Sequence, residues 1–255
     1  YHHGFDMKDF TVGKNDLALM EKLSKAGPDH AKFRRMIVVY ADITAPLYWW
    51  KEYDTYKVGT VANSCSTMHT IADKEFTKND FSYENLIQDN YMDEHVCIDV
   101  CEKWGYYDDE DSGPIYPVEL LDLTIDFLNK AREKYIETGD KLYWWQMIQL
   151  LPTSYNQKRT VMLNYEVLSN IYKQRRHHKL DEWRAFSLWI ETLPYAEGII
   201  FPEMSENEKL AAAITFGDGS DYPNLNDEIS ASDDAAYAAE HIFDRPVILN
   251  GDDAE

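Results

Sequence analysis

The sequence predicts an α+β fold, a small central sheet packed by several helices, with an acidic C-terminal appendage. Three observations carry this. The short β-branched run Met36-Ile37-Val38-Val39-Tyr40 reads as a buried strand. Residues 118 to 194 read as mostly helical, with Val118, Leu121, Ile125, Leu128 and Tyr135 recurring mainly at three- and four-residue spacing, the period of a helix face. From 203 to 255 the chain holds 14 acidic residues against Lys209 and Arg245.

The elements follow in order. Residues 1 to about 34 are polar, with one helix expected from Asp16 to Leu23 and a break at Gly27-Pro28. The strand of about 35–42 comes next. Pro46 then fits the first turn of a helix carrying Leu47, Trp49 and Trp50. Residues 91 to 117 read as an insertion, since the acidic run Tyr106 to Ser112 breaks at Gly113-Pro114 in the manner of a solvated loop. Val118, Leu121, Ile125, Leu128 and Tyr135 mark a helix that ends at Gly139, the residue type suited to a left-handed helix stop. A second helix covers about 141–150 and stops before Pro152. A third is expected from Thr160 to Arg175 and a fourth from Leu180 to Leu193. In the tail, short helices are expected at 206–214 and 233–243, the latter capped by Ser232-Asp233-Asp234.

Composition excludes several functions. The 255 residues include 46 acidic and 25 basic side chains, a formal charge of −21. A chain so acidic does not bind duplex nucleic acid without specificity, because that affinity comes from clustered Lys and Arg. Anionic membrane surfaces are disfavoured for the same reason. The richest apolar stretch, Met36 to Trp50, is broken by Asp42 and Pro46, so no membrane span is expected. Three cysteines make no disulfide framework, and a cytoplasmic setting is expected. The chain opens at Tyr1 rather than Met, so its natural start is expected upstream. There is no internal repeat.

No Gly-rich phosphate loop, G-x-S-x-G or H-E-x-x-H is present, so any nucleotide site must be built from scattered side chains. In the expected third helix, Asn164, Leu168, Ile171 and Arg175 fall on nearly one face. A charge on an apolar stripe must snorkel, pair with a carboxylate or meet an anionic ligand. The cluster Arg175-Arg176-His177-His178-Lys179 closes this helix, where cations are favoured in any case. Asn63-Ser64-Cys65-Ser66-Thr67-Met68-His69 gathers hydroxyl, amide, thiol and imidazole groups that could cap a helix or line a polar pocket. His95-x-Cys97-x₃-Cys101 lacks a fourth zinc ligand, and Cys97 and Cys101 fit one helical face as buried thiols. Asp218-Gly219-Ser220-Asp221 lacks the alternating ligands of a calcium loop, so no metal is expected.

Two of these blocks together resemble the flavin-dependent thymidylate synthases, the ThyX family. Asn63 to His69 is similar to that family's N-E-x-S-x-R-Y segment. Leu151-Pro152, Asn164, Leu168, Asn170 and Arg175 fall without gaps on its L-P…N-x-x-x-L-x-N…R pattern. His178-Lys179-Leu180-Asp181-Glu182-Trp183 resembles a drifted H-A-Q-W-E. The likeness spans roughly residues 36–195. It implies a ThyX-like domain over 1–202, interrupted at 91–117, and an acidic extension over 203–255.

The resemblance also implies a chemistry. FAD would be the cofactor, with NADPH as reductant and methylenetetrahydrofolate as carbon donor, for reductive methylation of dUMP to dTMP. Arg175 would face the pyrimidine nucleotide and Ser66 would lie on the nucleotide side. Asn63, Asn164 and Asn170 would lie near flavin, with His178 close by, and Lys57 would stand for the family's R-H-R. A homotetramer is the implied assembly. The chain departs from the pattern at several points: Thr55-Tyr56-Lys57 or Tyr56-Lys57-Val58 replaces R-H-R, Ser64 replaces Glu, Met68 replaces Arg, and Ile148 lies near another expected Arg. Met does not replace a bidentate Arg–phosphate contact. Two readings follow: a divergent enzyme, or a catalytically degenerate descendant with a structural or interaction role. Lys57, Lys158, Arg159 and Arg175 separate them, because convergence of these cations would replace the lost arginines.

Overall fold

The computed structural model describes residues 12–64, 66–87, 97–98 and 115–202. In chain order the elements are α1 (Lys14–Lys25), β1 (Val38–Pro46), α2 (Leu47–Tyr53), β2 (Val61–Ser64), α3 (Thr67–Thr70), α4 (Pro117–Thr138), α5 (Lys141–Leu150), β3 (Asn156–Asn164), α6 (Tyr165–Arg175), α7 (Asp181–Glu191) and α8 (Ala196–Ile199). The three strands form one antiparallel sheet in the order β1-β3-β2. Helices with a small sheet match the expected class. The acidic tail at 203–255 and its two expected helices lie outside the described residues.

The chain divides into two compact units. Among the described residues, the first comprises 12–44, 51–63 and 158–202. In it α6 packs on α7 and on the 3-10 turn Lys32–Met36, and α1 packs on α8. Ile43, Val161, Leu163, Leu168, Ile171, Trp183, Phe186 and Ile190 are fully buried. Arg34 is also buried, at 4% exposure. Its Nη1 donates to Ser169 Oγ at 3.2 Å, and Ser169 Oγ donates to the Ile200 carbonyl at 2.6 Å. Burial pushes the Arg34 pKa down, and Glu166 opposes that shift.

Among the described residues, the second unit comprises 45–50, 64, 66–87, 97–98 and 115–157. Its core is Ile71, Phe76, Phe81, Leu121, Ile125, Leu128, Ala131 and Met147. Helix α4 presents Val118, Leu121, Ile125 and Leu128 to the interior, as their spacing predicts. It stops at Gly139, whose φ of 67° is the left-handed conformation that glycine adopts without strain. Asp140 caps α5 by accepting the Leu142 N–H at 2.9 Å. Asn129 fixes the Phe76 backbone from both sides: its Oδ1 accepts from Phe76 N at 2.8 Å and its Nδ2 donates to Phe76 O at 2.9 Å. Of the expected insertion only 97–98 and 115–117 are described, and there Ile98 and Ile115 exchange two backbone hydrogen bonds.

Several boundaries differ from expectation. The run Met36 to Tyr40 is not the buried strand expected: Met36 ends a 3-10 turn, and Met36, Val38 and Tyr40 are exposed. Burial begins only at Ala41, Ile43 and Ala45, so the strand spans Val38–Pro46 and the helix opens at Leu47. The larger correction concerns the expected helix Thr160 to Arg175. Residues 156–164 are strand β3, and the helix begins at Tyr165. Val161 and Leu163 are buried while Lys158 and Thr160 are exposed, the two-residue period of a strand. Asn164 therefore does not share a helical stripe with Arg175. It is the N-cap, with Oδ1 accepting from Val167 N at 3.0 Å.

Candidate functional site around Arg175

Arg175 closes α6, in the last turn below the fully buried Leu168 and Ile171. Its guanidinium reaches a polar cluster within the first unit. The guanidinium Nη1 stands 3.0 Å from Glu52 Oε2. The Nε–H donates to Tyr56 Oη at 2.9 Å, and that hydroxyl in turn donates to Gln174 Oε1 at 2.9 Å. The guanidinium carbon lies 5.0 Å from the Trp183 ring centroid and 5.8 Å from that of Tyr56, within cation–π reach of both. Trp183 Nε1 donates to the same Glu52 Oε2 at 2.9 Å. Thus α2, the turn after it, α6 and α7 each contribute a group to one cluster. Of the routes open to Arg175, the structure takes pairing with a carboxylate.

The cluster is partly open to water, with side-chain exposures of 36% for Glu52, 21% for Arg175 and 24% for His178. His178 Nε2 is 3.8 Å from Glu52 Oε2. Its Nδ1 accepts the Leu180 N–H at 3.2 Å, which leaves the ring proton on Nε2. Burial lowers the His178 pKa, Arg175 lowers it further, and Glu52 and Glu182 pull the other way. Near neutral pH the ring is uncharged, so its approach to Glu52 is not an ion pair.

The other expected site residues fall differently. Asn164 is engaged as a cap, and its Nδ2 sits 3.5 Å from the Gly59 carbonyl. Lys57, Asn63 and Asn170 are exposed. Ser66, in the second unit, is exposed and precedes α3 with no side-chain cap bond, while its carbonyl accepts from Thr70 Oγ1 at 3.0 Å. Lys158, Arg159 and Arg175 each meet a different carboxylate. Lys158 and Arg159 are neighbours on β3 and take opposite faces of the sheet. Lys158 pairs with Asp42 at 3.3 Å, and Arg159 pairs with Asp54 at 3.2 Å. The Asp42 carboxyl is held below its ordinary pKa, first by the hydrogen bond from Thr160 at 2.6 Å, with Lys158 adding to it.

Glu52, Tyr56 and Trp183 were not expected as site residues. Tyr56 lies in the segment that stands in the R-H-R place and Trp183 in the block resembling H-A-Q-W-E, so both had a sequence signal. For Glu52 the signal was only the requirement that Arg175 find a carboxylate, which the sequence alone does not assign. His95, Cys101 and Asp218 to Asp221 lie outside the described residues. Among the described residues no group of three or more His, Cys, Asp or Glu side chains is arranged to hold a metal ion. Among them, too, no helix is long and apolar enough to cross a membrane.

No family model matches the chain, and no curated protein matches it by sequence. Solved structures do. A crystal structure of thymidylate synthase X from Helicobacter pylori with FAD and dUMP is 16% identical, covers 77% of this chain and 86% of its own, and has a TM-score of 0.48. A second structure of the flavin-dependent enzyme from Helicobacter pylori, complexed with FAD and dUMP, is 15% identical, covers 75% of this chain and 84% of its own, and has the same TM-score of 0.48.

Proposed function

We propose that the chain is a divergent ThyX-like protein whose Arg175 cluster takes a pyrimidine nucleotide, with reductive methylation of the dUMP-to-dTMP type as its reaction. The observation that carries this reading is the assembly of Arg175, Glu52, Tyr56 and Trp183 into one partly open group. Solvent-open hydrogen-bonding groups of both kinds, held in place on the fully buried Trp183, suit the polar edge of a flat ring. The sequence blocks around Asn63 and Asn164 support the same reading independently.

The residues present fit the base better than they fit flavin. Of the positions implied for FAD, Asn164 is committed to capping α6, and Lys57, Asn63 and Asn170 stand exposed. A dinucleotide pyrophosphate needs cationic or backbone donors, and Lys158, Arg159 and Arg175 each already face a carboxylate. That one observation favours a second reading, a catalytically degenerate ThyX-like protein with a structural or interaction role. In it Lys158, Arg159 and Arg175 serve as local ion pairs and do not stand in for the lost arginines.

The separating experiment is a visible absorbance spectrum after incubation with FAD and gel filtration, with dUMP binding measured alongside. Retained flavin absorbance and dUMP binding that is lost in Arg175→Ala support the enzyme. A colourless protein with no dUMP binding supports the degenerate descendant.

A further inference from the structure

We infer that Glu52 is a specificity-determining residue, which together with Arg175 reads the N–H/C=O edge of a cyclic imide or lactam ring. This rests on the nucleotide-binding reading above and deepens it. Glu52 Oε2 is occupied by Arg175 and Trp183, yet among the described residues no hydrogen bond uses Glu52 Oε1 or Arg175 Nη2. Both side chains are partly open to water. The ion pair therefore offers one carboxylate acceptor beside guanidinium donors.

An imide edge answers that pattern. Its ring N–H donates to the carboxylate and its neighbouring carbonyl accepts from the guanidinium. Uracil carries such an edge, and so does the pyrimidine ring of flavin. Cytosine presents a bare ring nitrogen at the same place. Its lone pair would face Glu52 Oε1, leaving the carboxylate unpaired and repelled. A site built to accept a hydrogen bond rejects the analogue that lacks the donor more strongly than an apolar pocket rejects a methylene. The Tyr56 and Trp183 rings beside the guanidinium restrict its freedom to turn away. His178, neutral near pH 7, adds no second positive charge that would favour a bare acceptor.

The test is isothermal titration of the full chain with dUMP, dCMP and FAD separately, repeated on Glu52→Gln. Both nucleotides carry the same phosphate, so its contribution cancels in their ratio. The expected result is dUMP binding roughly tenfold or more tighter than dCMP, collapsing to about threefold or less in Glu52→Gln. Glu52→Gln keeps an acceptor for Trp183, and near-UV circular dichroism checks that the cluster stays folded. Binding of FAD alone, weakened in the variant, would support the same edge-reading and identify flavin as the source. Equal binding of dUMP and dCMP to the native protein overturns the inference while leaving the nucleotide-binding reading intact. No binding of any of the three overturns both.

Discussion

Asn164 offers a direct trial of structural role against ligand role. Its Oδ1 accepts the Val167 N–H at 3.0 Å, satisfying one of the donors left open at the start of α6. Asn164→Ala removes that bond and is expected to cost about 1 kcal/mol. With a urea slope of about 2 kcal/mol/M, the unfolding midpoint falls by about 0.5 M. Asn164→Asp retains a capping oxygen and should leave the midpoint nearly unchanged. Gly59 gives a second handle on the same spot. Its φ is 86°, and an added Cβ would lie 3.0 Å from Val167 Cγ2 and 3.1 Å from Asn164 Nδ2. Gly59→Ala combines backbone strain with crowding and should destabilise by more than the loss of the cap. Chemical denaturation followed by far-UV circular dichroism measures all three variants. An unchanged midpoint in Asn164→Ala, accompanied by lost FAD or dUMP binding, would refute the capping argument and return Asn164 to the ligand site.

Two further outcomes follow from the first unit. Leu168 is fully buried on α6, so Leu168→Ala is expected to cost about 2–5 kcal/mol in the same denaturation assay. His177 and His178 both have pKa values lowered in the folded state, chiefly by burial. The unfolded chain then binds more protons below the ordinary histidine range, so stability is fully present above about pH 6.5 and declines as pH falls. A thermal-melt series from pH 7.5 to 5 should show that decline, and His177→Gln with His178→Gln should flatten it. An unchanged slope in the double variant would refute this assignment.

Much of the fold was legible because local signals were strong. Gly139 ended α4 where its conformational freedom said it should, and the spacing from Val118 to Leu128 named the buried face. The failure at 160–164 is instructive. Asn164, Leu168, Ile171 and Arg175 satisfy a helical period, but the cap of a helix shares that register with its first turns without belonging to it. The competing two-residue alternation of Arg159, Val161 and Leu163 was the better guide. In the candidate site, Arg175 was legible as a charge needing a partner. Its partner was not, because Glu52 lies 123 residues away and is brought to it only when α2, α6 and α7 are in place. The retirement of Lys158 and Arg159 into separate pairs was equally invisible, since it depends on which strand lies beside β3 and on which sheet face each side chain takes.

The tandem tryptophans of the second unit have an optical consequence. Trp49 and Trp50 lie 4.9 Å apart at 80°, and Trp144 and Trp145 lie 4.9 Å apart at 72°. Indoles so close and so steeply inclined couple their electronic transitions and give a paired positive and negative band in the ultraviolet circular dichroism. The first unit instead holds Trp183 under a guanidinium and Trp189 stacked on Phe186. Each half of the molecule therefore carries its own chromophore signature, and the loss of one without the other would be visible in a single spectrum with no label attached.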